Sequence, residues 1–224
     1  MIVPSVPPRR EGHPVAGAPE DQWRGSKDPA APLVVLLHGR GVDETEIVTM
    51  ADDLPVGFAY AAPRGGVALA DGGFAWFERS GVGRPTSASL DEQVPRFASW
   101  LDRVAPPGRP VILIGFSGGA AFAGVLALMN PTRYAGVALL YGTLLFDSPV
   151  AVAPGRLAGL HVFHAQALGD AVIPRELSER TYEYLDRDAG SVNELHRRPG
   201  GHDVDPEVLV RLRAWVAGLA GVAP

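Results

Sequence analysis

The chain alternates short, wholly apolar runs with longer stretches in which apolar residues recur every three or four positions. Residues 33–37 (LVVLL) and 111–114 (VILI) carry no polar side chain. A strand with one wet face would alternate polar and apolar positions, so these runs predict strands covered on both faces. Further strands are expected at 136–141 and 160–165, a weaker one at 57–61 and an edge strand at 192–196. Helical spacing is clearest over 89–104, where Leu90, Val94, Phe97, Leu101 and Val104 share one face. Ser89 reads as the N-cap of that helix, and Glu92, three residues on, as its capping-box partner. Other helices are expected at 44–54, 118–129, 175–187 and 206–219. The last has Pro206 in its first turn, where a backbone N–H would have no partner anyway.

Strands separated by helices at this rhythm predict an α/β fold, with a mostly parallel central sheet and helices on both faces. With 224 residues, 46% of them hydrophobic, the chain fits one such domain over 32–224. Residues 1–31, rich in Pro, Gly and charge, read as an arm or edge strand leading into it. The glycine-rich connection 63–88 is the one long irregular segment. It holds Phe74, Trp76 and Phe77, and reads as the wall of a pocket.

Composition removes several classes of function. A net charge of −5 argues against a nucleic-acid partner. The absence of cysteine excludes disulfides, thiolate metal sites and a cysteine nucleophile together. No stretch approaches the ~18 uninterrupted apolar residues of a membrane span, and the first residues lack the apolar core of a signal peptide. The resulting expectation is a cytoplasmic protein with no membrane span.

The chemistry concentrates at Gly115-Phe116-Ser117-Gly118-Gly119, between the VILI strand and a small-residue helix. A strand-to-helix turn of this kind lifts the serine hydroxyl clear of the sheet, beside helix amides that favour negative charge. A serine hydroxyl needs a base, and the base needs an acid to orient it. His202 follows the flexible Pro199-Gly200-Gly201 and is the expected base; His196 falls inside a strand and would point sideways. Asp170 is the expected acid, with Asp147 after the preceding strand as the alternative. Asp203 is too near His202 in sequence to reach the far side of its ring. His38-Gly39-Arg40-Gly41 follows the LVVLL strand, so the Arg40 and Gly118 N–H groups are the expected oxyanion donors. Loss of one such donor typically costs roughly 3 kcal/mol in the transition state. The His38 side chain reads as an internal brace of its loop, while the Arg40 guanidinium can face solvent or an anionic group of the substrate.

These pieces together resemble the phospholipase/carboxylesterase family of α/β-hydrolases. The resemblance rests on LLHGRGVDE (36–44), APRG (62–65), AWFE (75–78), GFSGGA (115–120), GDAVIP (169–174) and GGHDV (200–204), in that order. It implies a Ser117–Asp170–His202 triad, oxyanion donors at Arg40 and Gly118, and a compact fold without a large lid. It also implies metal-independent hydrolysis of short to medium acyl esters, thioesters or lysophospholipids, with no cofactor and often by a homodimer. Trp76, Phe77, Phe116 and Leu144 are the expected lining of the acyl site. Two positions depart from the family pattern: Gln166-Ala167 replaces a His-Gly pair before the acid, and Gly118 replaces a glutamine after the nucleophile. The same triad also serves acyl transfer, perhydrolysis, peptide cleavage and lyase steps. A non-catalytic binding protein of this fold commonly lacks a triad member, whereas all three are present here.

Overall fold

The computed structural model describes residues 19–222; residues 1–18 of the expected arm lie outside them. In chain order the strands are β1 (Asp21–Gly25), β2 (Leu33–Leu37), β3 (Ala59–Pro63), β4 (Val67–Ala68), β5 (Phe74–Ala75), β6 (Arg79–Gly81), β7 (Arg84–Pro85), β8 (Val111–Phe116), β9 (Gly136–Leu140), β10 (His161–Ala167) and β11 (Val192–Arg198). The α-helices are α1 (Glu44–Ile47), α2 (Ser87–Val104), α3 (Gly118–Met129), α4 (Arg175–Glu183) and α5 (Pro206–Gly218).

Seven strands form the central sheet in the order β1-β3-β2-β8-β9-β10-β11. β1 runs antiparallel to β3, and every other neighbouring pair is parallel. The apolar runs follow from what lies above and below. Leu33, Val35 and Leu37 face a core built with α2 and α3, including Phe97, Trp100 and Phe122. Val34 and Leu36 face the opposite core, with Val208, Leu212 and Val216 of α5. Val111 and Leu113 divide from Ile112 and Ile114 in the same way. Full burial of each such side chain is worth about 2 kcal/mol, so no position in these strands tolerates a polar residue cheaply.

Several boundaries moved for identifiable reasons. The long helix begins at Ser87 with Thr86 as its N-cap, two residues before the expected start. Ser89 does not cap it: the residue is buried inside the first turn, and its hydroxyl accepts the Glu78 N–H at 2.9 Å. The expected 44–54 helix is a single α turn, capped by Asp43, that tightens into a 3-10 stretch over Val48–Asp53. The strand expected at 57–61 runs from Ala59 to Pro63.

The segment 63–88 is ordered by two small ribbons, β4 with β5 and β6 with β7. It is also stitched to the loop after β2. Gly41 N–H donates to Phe74 O and Phe74 N–H to Val42 O, both at 2.9 Å, forming an isolated antiparallel bridge. Gly73 is required there, because a side chain at its φ of +69° would strike Gly41 O. Beneath the crossing, Arg64 Nε donates to Glu44 Oε2 at 2.7 Å. Glu44 is only 1% exposed, and Arg64 also reaches Glu20 at 2.8 Å and stacks on Phe74.

The connections from β2 lead outward to β3, whereas β8 leads the other way to β9 and β10. The crevice beyond the carboxyl ends of β2 and β8 is therefore the switch point, where open parallel sheets bind ligands.

Candidate active site

Ser117 stands between β8 and α3 with φ +53° and ψ −113°, a conformation that costs a non-glycine residue of order 1–3 kcal/mol. Its neighbours at ±2 make the turn feasible. A Cβ on Gly115 would lie 2.3 Å from Gly119 O, and one on Gly119 would lie 2.1 Å from Leu37 O. Glycine is needed at both positions because backbone, not a movable side chain, occupies the space. The Ser117 N–H is fixed by Leu140 O at 2.9 Å.

Ser117 Oγ lies 2.8 Å from His202 Nε2. On the other side of the ring, His202 Nδ1 lies 2.7 Å from Asp170 Oδ2. Both contacts are satisfied by one tautomer, in which Nδ1–H donates to the carboxylate and Nε2 accepts the serine proton. The Phe116 ring packs against the imidazole with centroids 5.1 Å apart. The loops that carry His202 and Asp170 run side by side: Leu168 N–H donates to Arg198 O at 2.8 Å, and a Cβ on Gly169 would lie 2.6 Å from Gly200 O.

Asp170 is nearly enclosed, with a side chain 6% exposed. Burial pushes its carboxyl up, but the His202 hydrogen bond and the Ile173 and Val172 amides outweigh that effect. The net result holds it below the usual carboxylate range. Those amides donate to Oδ1 at 3.0 and 2.7 Å. Asp147, the alternative acid, is instead exposed and paired with Arg84 at 3.5 Å. Asp205 caps α5 by accepting from the Glu207 and Val208 amides. His196 pairs with Glu194 and packs on Phe163, away from the serine.

The Arg40 amide lies close to the start of α3; a Cβ on Gly118 would sit 3.4 Å from it. It makes no hydrogen bond to other described residues, and Gly118 opens the helix, where first-turn amides lack an internal acceptor. The Arg40 amide and the first residue of α3 therefore lie side by side next to Ser117. His38 braces this loop, with Nδ1 at 2.6 Å from Gly39 O and Nε2 accepting from Gly65 N–H at 2.9 Å. Burial pulls its pKa down, which keeps it neutral for that second bond. Trp76 adds a third tie, donating Nε1–H to His38 O at 2.9 Å.

A cavity of about 240 Å³ opens over the serine. Of the residues proposed from sequence for the acyl site, Phe77 and Phe116 line it and Leu144 does not. The chain turns sharply at Tyr141, with φ +49°, and Leu144 is fully buried against Gly124 of α3. Thr143 and Leu145 reach the cavity in its place. Trp76 stacks on Phe122 in the core, centroids 5.0 Å apart, and meets only a small niche beside the main cavity. Sequence reasoning missed Arg79, Val82, Val172 and Ile173 on the lining. Val172 and Ile173 were within reach, since they follow Asp170 by two and three residues. Among the described residues no group of three or more His, Asp or Glu side chains is gathered as a metal ion would need. Nor is any helix long and apolar enough to cross a membrane.

Sheet order, switch-point crevice and strained serine turn define an α/β-hydrolase. Solved structures with this fold include a Bacillus cereus carboxylesterase, 22% identical with a TM-score of 0.77 over 90% of this chain and 94% of that one. A Mesorhizobium loti carboxylesterase is 28% identical with a TM-score of 0.72, over 84% and 88%. Acyl-protein thioesterase 2 of Zea mays is 20% identical with a TM-score of 0.73, over 91% and 100%. No functionally curated protein matches the chain. The phospholipase/carboxylesterase profile matches residues 24–217, and the chain belongs to that family of hydrolases.

Proposed function

We propose that the protein is a serine esterase that cleaves short to medium acyl esters or thioesters through a Ser117–His202–Asp170 triad and an acyl-enzyme. The observation that carries this reading is the unbroken contact chain from Ser117 Oγ through His202 to Asp170, at 2.8 and 2.7 Å. His202 takes the serine proton as Oγ attacks the acyl carbon. Asp170, held ionised by its amide donors, keeps the ring oriented and stabilises it when charged. The Arg40 and Gly118 amides receive the oxyanion. The imidazolium then returns its proton to the departing alcohol or thiol, and water repeats the sequence on the acyl-enzyme. A cavity of about 240 Å³, below the usual range for drug-sized ligands of ~300 Å³ and upward, favours short acyl groups over long lipid chains.

Labelling with a fluorophosphonate probe tests the reading. The folded protein is expected to label stoichiometrically and Ser117→Ala not at all; a folded wild type that resists the probe overturns it.

A further inference from the structure

The acyl transfer described above uses the backbone of Arg40 and leaves two positive charges beside it unexplained. Arg40 and Arg79, both exposed to solvent, line the cavity over Ser117. Neither has an ion-pair or hydrogen-bond partner among the described residues, whereas the nearby Arg64 and Arg84 are paired with Glu44 and Asp147. Glu46, the one carboxylate on the cavity lining, forms an ion pair with neither. Burial and, behind it, the Arg40 charge pull the Arg79 guanidinium below its ordinary pKa. Like charges on two residues that line the same cavity and niche repel, and an anion arriving there relieves that repulsion.

Their position decides which half of a substrate they meet. Arg40 and Arg79 also border a narrow niche with Trp76, Phe77 and Gly118, and neither Ser117 nor His202 lines it. The leaving group must sit beside His202 Nε2, which returns its proton. A group reaching the niche past the Gly118 amide therefore extends from the acyl carbon, away from the base. In a lysophospholipid the phosphate belongs to the alcohol half and would lie on the wrong side.

We infer that the substrate's acyl chain ends in a carboxylate held by Arg40 and Arg79, so that the preferred substrates are half-esters or half-thioesters of short dicarboxylic acids. This rests on the serine-esterase reading. A planar carboxylate matches the fork of donors on guanidinium, and two such forks discriminate strongly against a terminal methyl.

The test is pH-stat kinetics at low ionic strength on three esters: ethyl hydrogen glutarate, its neutral counterpart ethyl pentanoate, and acetoxyacetate, whose carboxylate lies on the alcohol half. The wild type is expected to favour the half-ester over ethyl pentanoate by at least about tenfold in kcat/KM, with added salt shrinking the preference. Acetoxyacetate should gain nothing. Arg79→Gln should erase most of the preference through KM, and Arg79→Lys should keep part of it. Turnover of ethyl pentanoate with no preference for the half-ester overturns the inference. So does a preference for acetoxyacetate, or one that survives Arg79→Gln. Fluorophosphonate labelling without half-ester turnover overturns it while sparing the esterase reading; no labelling and no turnover of any ester defeats both.

Discussion

The two sides of the cleft are built by different physics. On the Ser117 side, position comes from backbone sterics. Ser117 is strained, Gly115 and Gly119 have no room for a methyl group, and the Arg40 loop is tied by His38, Trp76 and the bridge to Phe74. On the His202–Asp170 side, position comes from a few hydrogen bonds between loops. His202 is held by Asp170, and Asp170 by two amides. The first side belongs to the folded core, so damage there should appear as lost stability. The second is mounted on the fold, so damage there should appear as lost rate.

The sharpest test of that division is Asp170→Asn. It should lower the thermal midpoint only slightly, by the share the ionised carboxylate contributes, while lowering kcat roughly ten-thousand-fold, because the ring loses its tautomer and its counter-charge. Steady-state ester hydrolysis alongside calorimetry reads both. A large loss of stability would mean that the acid side is structural too.

Glu44→Gln probes the opposite side, leaving the Arg64 guanidinium with Glu20 alone. Stability should fall by about 3 kcal/mol in urea unfolding, the low end for a broken buried pair because Glu20 remains. The activity of the folded fraction should change far less than in Asp170→Asn.

A third test uses pH. His164 is fully enclosed under the acid loop, and burial pushes its pKa down to about 4 from an ordinary 6.5. Its Nδ1–H meets Leu139 O at 3.1 Å. The Gln166 amide, turned to donate to His164 Nε2 and Ser178 Oγ and to accept from Arg197 Nε, suits only the neutral ring. The unfolded chain takes up a proton below about pH 6.5 and the folded one only near pH 4. Stability should therefore decline as pH falls through that window, by roughly 3 kcal/mol at ~1.4 per unit. Asp170 contributes in a lower range: its depressed folded value adds stability above the unfolded carboxylate pKa, lost as pH falls through the folded one. His164→Gln should remove the larger share of that decline in urea titrations at stepped pH, leaving the part due to His38, whose pKa burial also lowers. The smallest effect is expected from Asp205→Ala, which removes the α5 N-cap after the base loop and should cost about 1 kcal/mol. Circular dichroism melts would register it.

What could be foreseen from sequence divides along related lines. The core strands announce themselves because burial on both faces leaves no polar residue in LVVLL or VILI. Ser117, Asp170 and His202 are legible because each follows a strand, and strand ends fix where loops begin. The cavity wall is not legible in the same way. Leu144 and Leu145 are chemically alike and both buried in the same core, yet after the turn at Tyr141 only Leu145 also borders the cavity. Arg79 sits in a three-residue strand, too short for any periodicity, and its approach to Arg40 depends on a crossing of segments distant in sequence. Ser89 misled because a serine three residues before a glutamate looks like a cap whether or not its hydroxyl is engaged elsewhere.

On the proposed reading, the bridge between Val42 and Phe74 ties substrate choice to catalytic machinery. Segment 63–88 forms one wall of the cavity through Phe77, Arg79 and Val82, and the same segment clamps the loop that presents the Arg40 amide. Grafting a relative's loop here to change the acyl preference would transplant a hinge pin together with the wall. Loop exchange is thus a costly route to new specificity in this scaffold, and single substitutions at side chains that point inward from an unaltered backbone are the economical one.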